Sequence, residues 1–417
     1  MIKTMSRWLA VVALAVGWVD VSRADEISEL RQQLQEQYNA LREVQQKLIE
    51  IESAQKQQGQ AVKKLESTGG AVIPETLKWA ENIRLYGDFR YRHEQIDGDR
   101  VDQRDRHRIR ARLGLKGTIS DEWTFDLRLA SGSDDPTSTN QDLDGGFSSK
   151  DVWLDRAFLT YKPHAIEGLS LLAGKMSNPF MTVGGNQLMW DSDLNPEGIA
   201  VKYTASLTDA ASLFVNGGGM WVEERGSDTD TSLWGVQGGL MHAFEDQSKL
   251  TGGAGFFKYG NIKGKPAIGA FLGNTSDGGV YAFDYELMEL FGEYASKLGD
   301  VPFTLYGDYV VNTASRVSAD TGWLVGATYN KASAPGTWQT GYEYRDIERD
   351  AVLGRFNDSD FVGGGTHGKG HKFSFKYALA KNVAAAATYF LNERDAVGDG
   401  KRDDAYRRLQ LDIEVKF

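Results

Sequence analysis

The chain has 417 residues with 47 Lys and Arg, 58 Asp and Glu, 47 Gly, 8 Pro and no Cys. The missing cysteine excludes a disulfide scaffold and a thiol nucleophile, and a net charge of −11 lacks the basic footprint of a nucleic-acid binder. Hydrophobic residues at 41% and charged residues at 25% set it apart from disordered chains, and the glycine count together with 11% aromatics leans toward β structure.

Lys3 and Arg7 precede an apolar run from Trp8 to Trp18. That run is too short to cross a bilayer as a helix. Small residues at Ser22 and Ala24 predict a secretory signal over residues 1–24, cleaved after Ala24. Removing it takes away three positive charges and one negative charge, so the net charge moves from −11 to −13. No later stretch has the ~18 consecutive apolar residues of a helical span. The mature chain is expected to be exported, either soluble or as a β-barrel.

A seven-residue repeat opens at Ile27. Positions a are Ile27, Leu34, Leu41, Leu48, Gln55 and Val62, and positions d are Leu30, Gln37, Val44, Ile51, Gln58 and Leu65. Such a narrow apolar seam predicts an α-helical coiled coil over residues 25–66, and hence an oligomer. Its polar Gln positions lower stability and help to fix register. Ser67-Thr68-Gly69-Gly70 and Pro74 end the helix, and residues 67–82 read as a linker.

From Ile83 to the end, over residues 83–417, the period changes to two. Leu85, Phe89 and Tyr91 alternate with Arg84, Asp88, Arg90 and Arg92. Ile109, Ala111, Leu113 and Leu115 alternate with Arg106, Arg108, Arg110 and Arg112. Trp123, Phe125, Leu127 and Leu129 alternate with Thr124, Asp126 and Arg128. This is the pattern of strands with one apolar and one polar face. About sixteen such runs follow, near 83–93, 106–119, 121–131, 151–162, 168–176, 197–206, 210–221, 231–243, 248–260, 280–297, 301–313, 321–333, 336–348, 369–380, 382–392 and 404–417. Short connections, such as Ser120-Asp121, alternate with long ones at 93–105, 132–150, 177–196, 222–230, 261–279, 349–368 and 393–403. A soluble sandwich has no need of that alternation, whereas an outer-membrane barrel has tight turns at one end and long loops at the other. The fold class is therefore an all-β transmembrane barrel of about 16 antiparallel strands behind an N-terminal coiled coil. The run at 280–297 fits least well, because Asp284 and Glu286 share one parity and Glu289 and Glu293 the other.

In the last run Leu409, Leu411, Ile413, Val415 and Phe417 share a face. A terminal aromatic on an alternating strand is similar to the assembly signature of outer-membrane barrels. With Leu154-Asp155-Arg156-Ala157-Phe158-Leu159-Thr160-Tyr161, Gly174-Lys175, Asn178-Pro179-Phe180 and Glu197-Gly198, the chain resembles the bacterial outer-membrane "putative porin" family. In plan it is similar to phosphate-selective and general diffusion porins. The resemblance implies a homotrimer in the outer membrane, a periplasmic coiled coil, and a third loop that folds inward.

If the apolar face meets lipid, the lumen receives Arg84, Arg90, Arg92, Arg106, Arg108, Arg110, Arg112 and Arg156, a positive stripe suited to anions. Asp308, Glu343, Asp412 and Glu414 are acidic lumen residues expected to face it. Loop 177–196, with Asp191, Asp193 and Glu197 at its end, is the expected constriction opposite the arginines. The function expected is passive diffusion of small hydrophilic solutes and ions, anions favoured. The alternatives are an envelope tether that uses the coiled coil to reach the cell wall and a barrel enzyme, although no Ser/His/Asp group stands out. No catalytic residue, metal or other cofactor is expected. Gly363 to Gly370 lacks the Ser or Thr that a phosphate-binding loop places after its Lys, and Asp134, Asp135, Asp142 and Asp144 lack calcium-loop spacing.

Overall fold

The computed structural model describes residues 80–396, 398 and 400–417, together with Gln35, Gln46 and Lys47. The expected signal peptide, coiled coil and most of the linker lie outside the described residues. A short 3-10 turn at Ala80–Asn82 leads into the first strand.

Sixteen long strands follow. They are β1 (Ile83–Gly98), β2 (Val101–Thr118), β3 (Trp123–Ser131), β4 (Val152–Tyr161), β5 (Leu169–Lys175), β6 (Glu197–Ser206), β7 (Ala211–Glu223) and β8 (Thr231–Ala243). The second half comprises β9 (Lys249–Gly260), β10 (Glu286–Leu298), β11 (Val301–Asn312), β12 (Thr321–Tyr329), β13 (Trp338–Ile347), β14 (Gly368–Ala380), β15 (Val383–Arg394) and β16 (Asp404–Lys416). Each pairs antiparallel with the next, and β1 pairs with β16 in the register Arg92↔Asp412, which closes the sheet. Gly87 and Phe417 exchange backbone hydrogen bonds of 3.1 Å at that seam. Closure leaves no unpaired edge, which is what hydrocarbon demands of a spanning sheet.

The parity read from sequence holds. Leu85, Phe89, Leu113, Leu127, Leu129 and Leu159 are exposed on the outer face. Their strand neighbours Asp88, Arg90, Arg110, Asp126 and Arg128 are buried inside. Trp123 stacks on Tyr161 at 4.5 Å near the short-turn end, as an aromatic girdle requires.

Two boundaries differ from the sequence reading. The expected loop 93–105 is strand, since β1 and β2 remain paired as far as Gly98↔Val101 and turn through two residues. The pairing there is held by polar side chains rather than lipid contact, so apolar alternation gives no sign of it. The run at 280–297 is strand only from Glu286, because Val280–Tyr281 pairs locally with Ser276–Asp277 inside a long loop. Within β10, Leu287, Glu289 and Phe291 are buried inward while Met288 and Leu290 face out. No bulge interrupts the pairing of β10 with either neighbour.

The core lies inside the barrel, toward its long-loop end. Met176, Phe180, Leu188, Met189 and Trp190 of loop 176–196 cluster with Tyr281 and Tyr285 of loop 261–285 and with Val352, Leu353, Phe361 and Val362 of loop 348–367. Phe180 meets Phe257 of β9 edge-on at 4.8 Å. Apolar side chains in these loops have only the lumen in which to escape water, so three loops pack inward together.

Candidate functional site: the arginine sector and the inward loops

The polar face of β1, β2 and β16 is a lattice of opposite charges. Register sets like beside like, with Arg90↔Arg110 and Arg92↔Arg108, and interleaved carboxylates offset the repulsion. Arg92 forks onto Asp412, with Nε to Oδ1 at 2.7 Å and Nη2 to Oδ2 at 2.8 Å. Arg110 Nε and Arg112 Nε share Asp88 at 2.9 and 2.7 Å. Glu94, fully buried, takes Arg106 and Arg408. Asp142 takes Arg104, Arg106 and Arg108, and its two-residue strand Gln141–Asp142 adds to β2 above the end of β3. Planar guanidinium forks suit this bidentate pairing.

The eight arginines singled out from sequence do not all join this lattice. Arg90, Arg92, Arg106, Arg108, Arg110 and Arg112 form it. Arg156 lies on β4 opposite Arg128 and donates from Nε to Asn195 Oδ1 at 2.7 Å. Arg84 is exposed near the short-turn end, opposite Lys116. Asp412 and Glu414 do not stand across the lumen from the arginines as expected. Both lie on the strand adjoining β1, between them. Asp308 and Glu343 do lie on the far wall, on β11 and β13.

Loop 176–196 reaches that far wall. Met181 N–H donates to Gln237 of β8 at 2.7 Å, Gly184 N–H to Glu293 of β10 at 2.6 Å, and Asn186 Nδ2 to Asp308 of β11 at 3.0 Å. Gly184 has φ +59°, and a Cβ there would sit 2.3 Å from the Tyr306 ring, so glycine is required. On its return the loop meets the arginines. Asp193 accepts from Arg112 at 3.0 Å and from Thr139 N–H and hydroxyl at 3.2 and 3.0 Å. Burial opposes the Asp193 charge, but Arg112 and then Arg110 outweigh it and hold its carboxyl below the usual range. Asp191 goes the other way. Burial first, then Asp193 and Asp358, push its carboxyl well above the usual range. Glu197 stays apart from both, at the exposed base of the loop, paired with Lys175 at 2.8 Å.

Loop 348–367 was read from sequence only as a long outer connection, yet it packs beside loop 176–196. Asp191 N–H donates to Phe356 O at 2.8 Å, and Ser359 N–H to Asp191 Oδ2 at 2.9 Å. Arg345, fully buried, reaches Glu343 at 2.7 Å and Asp358 at 3.1 Å, with the Phe361 ring 4.6 Å from its guanidinium. Asp360 meets Arg408 at 2.7 Å and Arg92 at 3.3 Å. Its carboxyl is held far below the usual range by these arginines against the opposing effect of burial. Arg128, Arg345, Lys372 and Arg408 therefore belong with the chosen arginines. Each sits at a polar, lumen-facing strand position, the one signal that marked them.

The outcome is a lumen filled on the β7–β13 side and left polar on the β14–β3 side. Between them lies a cavity of about 160 Å³ bordered by Arg90, Arg92, Arg110 and Lys372 on one side and Asp191, Asp193 and Asp360 on the other. Among the described residues no group of three His, Asp or Glu side chains is placed to hold a metal ion. Asp135, Asp142 and Asp144 are instead paired with Arg355, with Arg104, Arg106 and Arg108, and with Lys150.

Comparison with known proteins shows the fold and the family. No curated protein matches the chain. Among solved structures the barrel is similar to OprB of Pseudomonas putida, at 14% identity over 82% of this chain and 96% of that chain, with a TM-score of 0.54. It also matches a triple mutant of Rhodopseudomonas blastica porin, at 14% identity over 80% of this chain and 100% of that one, with a TM-score of 0.47. A loop-deletion mutant of Vibrio cholerae OmpT matches at 15% identity over 80% and 99%, with a TM-score of 0.48. The family profile described as "Putative porin" matches residues 98–284 and 281–417. The chain is a porin-like channel of the outer membrane and belongs to this "Putative porin" family.

Proposed function

We propose that small hydrophilic solutes and ions diffuse passively through this barrel, that anions are favoured, and that the narrowest passage runs between the arginine sector and loops 176–196 and 348–367. The observation that carries this reading is the polar cavity bordered by Arg90, Arg92, Arg110 and Lys372. Charged groups lining a narrow aqueous path sort ions by sign. Arg84 and Arg156 extend the positive wall, Asp191 and Asp193 form the opposing rim, and Glu197 stands at the mouth. The barrel assembles as a trimer, in keeping with the seam of residues 25–66, which lies in the periplasm. Recording purified protein in a planar bilayer across a KCl gradient tests the reading. Conductance in three equal steps with a reversal potential favouring chloride is expected. A potassium preference would reject the arginine argument. A tether role rests on the coiled-coil sequence alone, and unchanged envelope integrity after deletion of residues 25–66 would remove it.

A further inference from the structure

Charge bookkeeping around the cavity singles out two cations. Arg92 and Arg110 each hold a carboxylate at 2.7 and 2.9 Å. Arg90 does not. Its nearest carboxylate is Asp412 at 3.9 Å, already forked onto Arg92. Its Nε is buried with no hydrogen-bond partner, and its one short contact is from Nη2 to the neutral Asn140 side chain. Lys372 on β14 shows no carboxylate within ion-pair distance, and its ammonium lies 5.7 Å from the Phe390 ring centre. The two cations border one cavity although their strands are separated by β15 and β16.

The carboxylates on the opposite rim are committed. Asp193 is taken by Arg112 and Thr139, Asp360 by Arg408 and Arg92. Asp191 accepts the backbone N–H groups of Asp193 and Ser359. The carboxylates beside the two cations are also held elsewhere: Asp412 by Arg92, Glu414, across from Arg90, by Lys376, and Glu343, across from Lys372, by Arg345, so neither Arg90 nor Lys372 has a carboxylate of its own at hydrogen-bonding distance. A guanidinium and an ammonium that border water without a carboxylate of their own leave acceptor capacity open at the cavity, and a passing oxyanion supplies it.

Resting on the anion-favouring reading, we propose that Arg90 and Lys372 form a transient binding subsite for a small monovalent carboxylate. A carboxylate pairs with the Arg90 guanidinium where it borders the cavity, while Lys372 contributes a point charge from another strand. The carboxylates of the opposite rim disfavour a second negative charge. The cavity exceeds the ~10–15 Å³ that one water centre occupies, so there is room for a carboxylate with a short polar tail.

The test uses the full protein in planar bilayers with potassium lactate as probe, read on channels already inserted and hence folded. Lactate current is expected to saturate with concentration. Arg90→Gln and Lys372→Gln should each raise the half-saturating concentration roughly tenfold, the loss of one charge-assisted contact. Lys331→Gln, in a short turn away from the cavity, serves as control and should leave it unchanged. Linear lactate current in the parent protein, or saturation untouched by both substitutions, overturns the proposal. Saturation by dianionic phosphate at equal or lower concentration overturns the monovalent class. The chloride reversal potential of the same channels tests the underlying reading separately.

Discussion

Arg112 of β2 donates to Asp193 at 3.0 Å across 81 residues of sequence, and the same carboxylate accepts the N–H and hydroxyl of Thr139. One loop carboxylate thereby fastens two long connections, 132–151 and 176–196, to the arginine wall. Asp191, two residues away, is pushed in the opposite direction by burial and by Asp193 and Asp358.

Asp193→Asn is expected to free both loops at neutral pH. The lowered folded-state pKa means that Asp193 stabilises above the ordinary carboxylate range, and that this contribution is lost as pH falls through the lowered value. Asp191 has the reverse sign, so its favourable contribution exists below the ordinary range and is lost as pH rises through the raised value. The parent protein should thus loosen around Thr139 only below about pH 4, whereas Asp193→Asn should be loose at pH 7. Breaking a buried pair costs about 3 kcal/mol, so amide exchange at Thr139 should quicken by about two orders of magnitude. Unchanged protection in the variant would refute the clamp.

Loop 348–367 is latched by Asp360 between Arg408 and Arg92. Asp360→Asn should release the latch and leave two buried guanidiniums short of a partner. Single-channel conductance should rise and become noisier, while the number of steps per insertion stays constant. A conductance equal to that of the parent protein would mean that the apolar packing of Val352, Leu353 and Phe361 holds the loop without the ion pairs.

Gly184 provides a purely steric test. Its φ of +59° and the Tyr306 ring 2.3 Å from a would-be Cβ leave no room for a side chain. Gly184→Ala should cost about 1–2 kcal/mol from the left-handed backbone alone, plus the clash. The hydrogen bonds from Gly184 to Glu293 and from Asn186 to Asp308 should be lost with it. Urea unfolding in detergent should show a lower midpoint, and in the Tyr306→Ala background most of the clash component should disappear. A full penalty persisting there would place the strain in the backbone alone.

Most of the barrel was legible because lipid enforces its rule residue by residue. Leu127, Leu129, Trp234 and Leu240 must face out, and Asp126 and Gln237 must not. The rule lapses where lipid ends. Beyond His93 the paired ends of β1 and β2 are polar apart from isolated residues such as the buried Ile96, so apolar alternation stops and the stretch reads as loop. Glu94 and Arg106 make their pair inside that stretch. The long connection at 349–368 is a loop as expected, but its inward path is hidden for a related reason, since strand periodicity says nothing about where a loop goes. The signal was present as an unusual number of apolar residues, Val352, Leu353, Phe356, Phe361 and Val362, in a connection otherwise rich in Gly and Asp. The arginines were visible in sequence, but their partners were not. Asp412 lies 320 residues from Arg92, and only closure of the barrel brings it alongside.

That interleaving gives the most discriminating substitution. Asp88 holds Arg110 Nε at 2.9 Å and Arg112 Nε at 2.7 Å, so Asp88→Asn strips the wall of one negative charge and leaves both guanidiniums under-compensated. If selectivity is set by the balance of the lattice, chloride preference should rise roughly fivefold, which corresponds to ~1 kcal/mol for one unit charge at about 4 Å in water. The unfolding midpoint should fall at the same time, because a buried partner has been removed. If the arginines instead act as free charges, chloride preference should still rise with the lost negative charge, but the midpoint should scarcely move. Measuring both quantities on one preparation separates the two, because a rise in chloride preference with a lower midpoint marks a paired lattice and the same rise with an unchanged midpoint marks free charges.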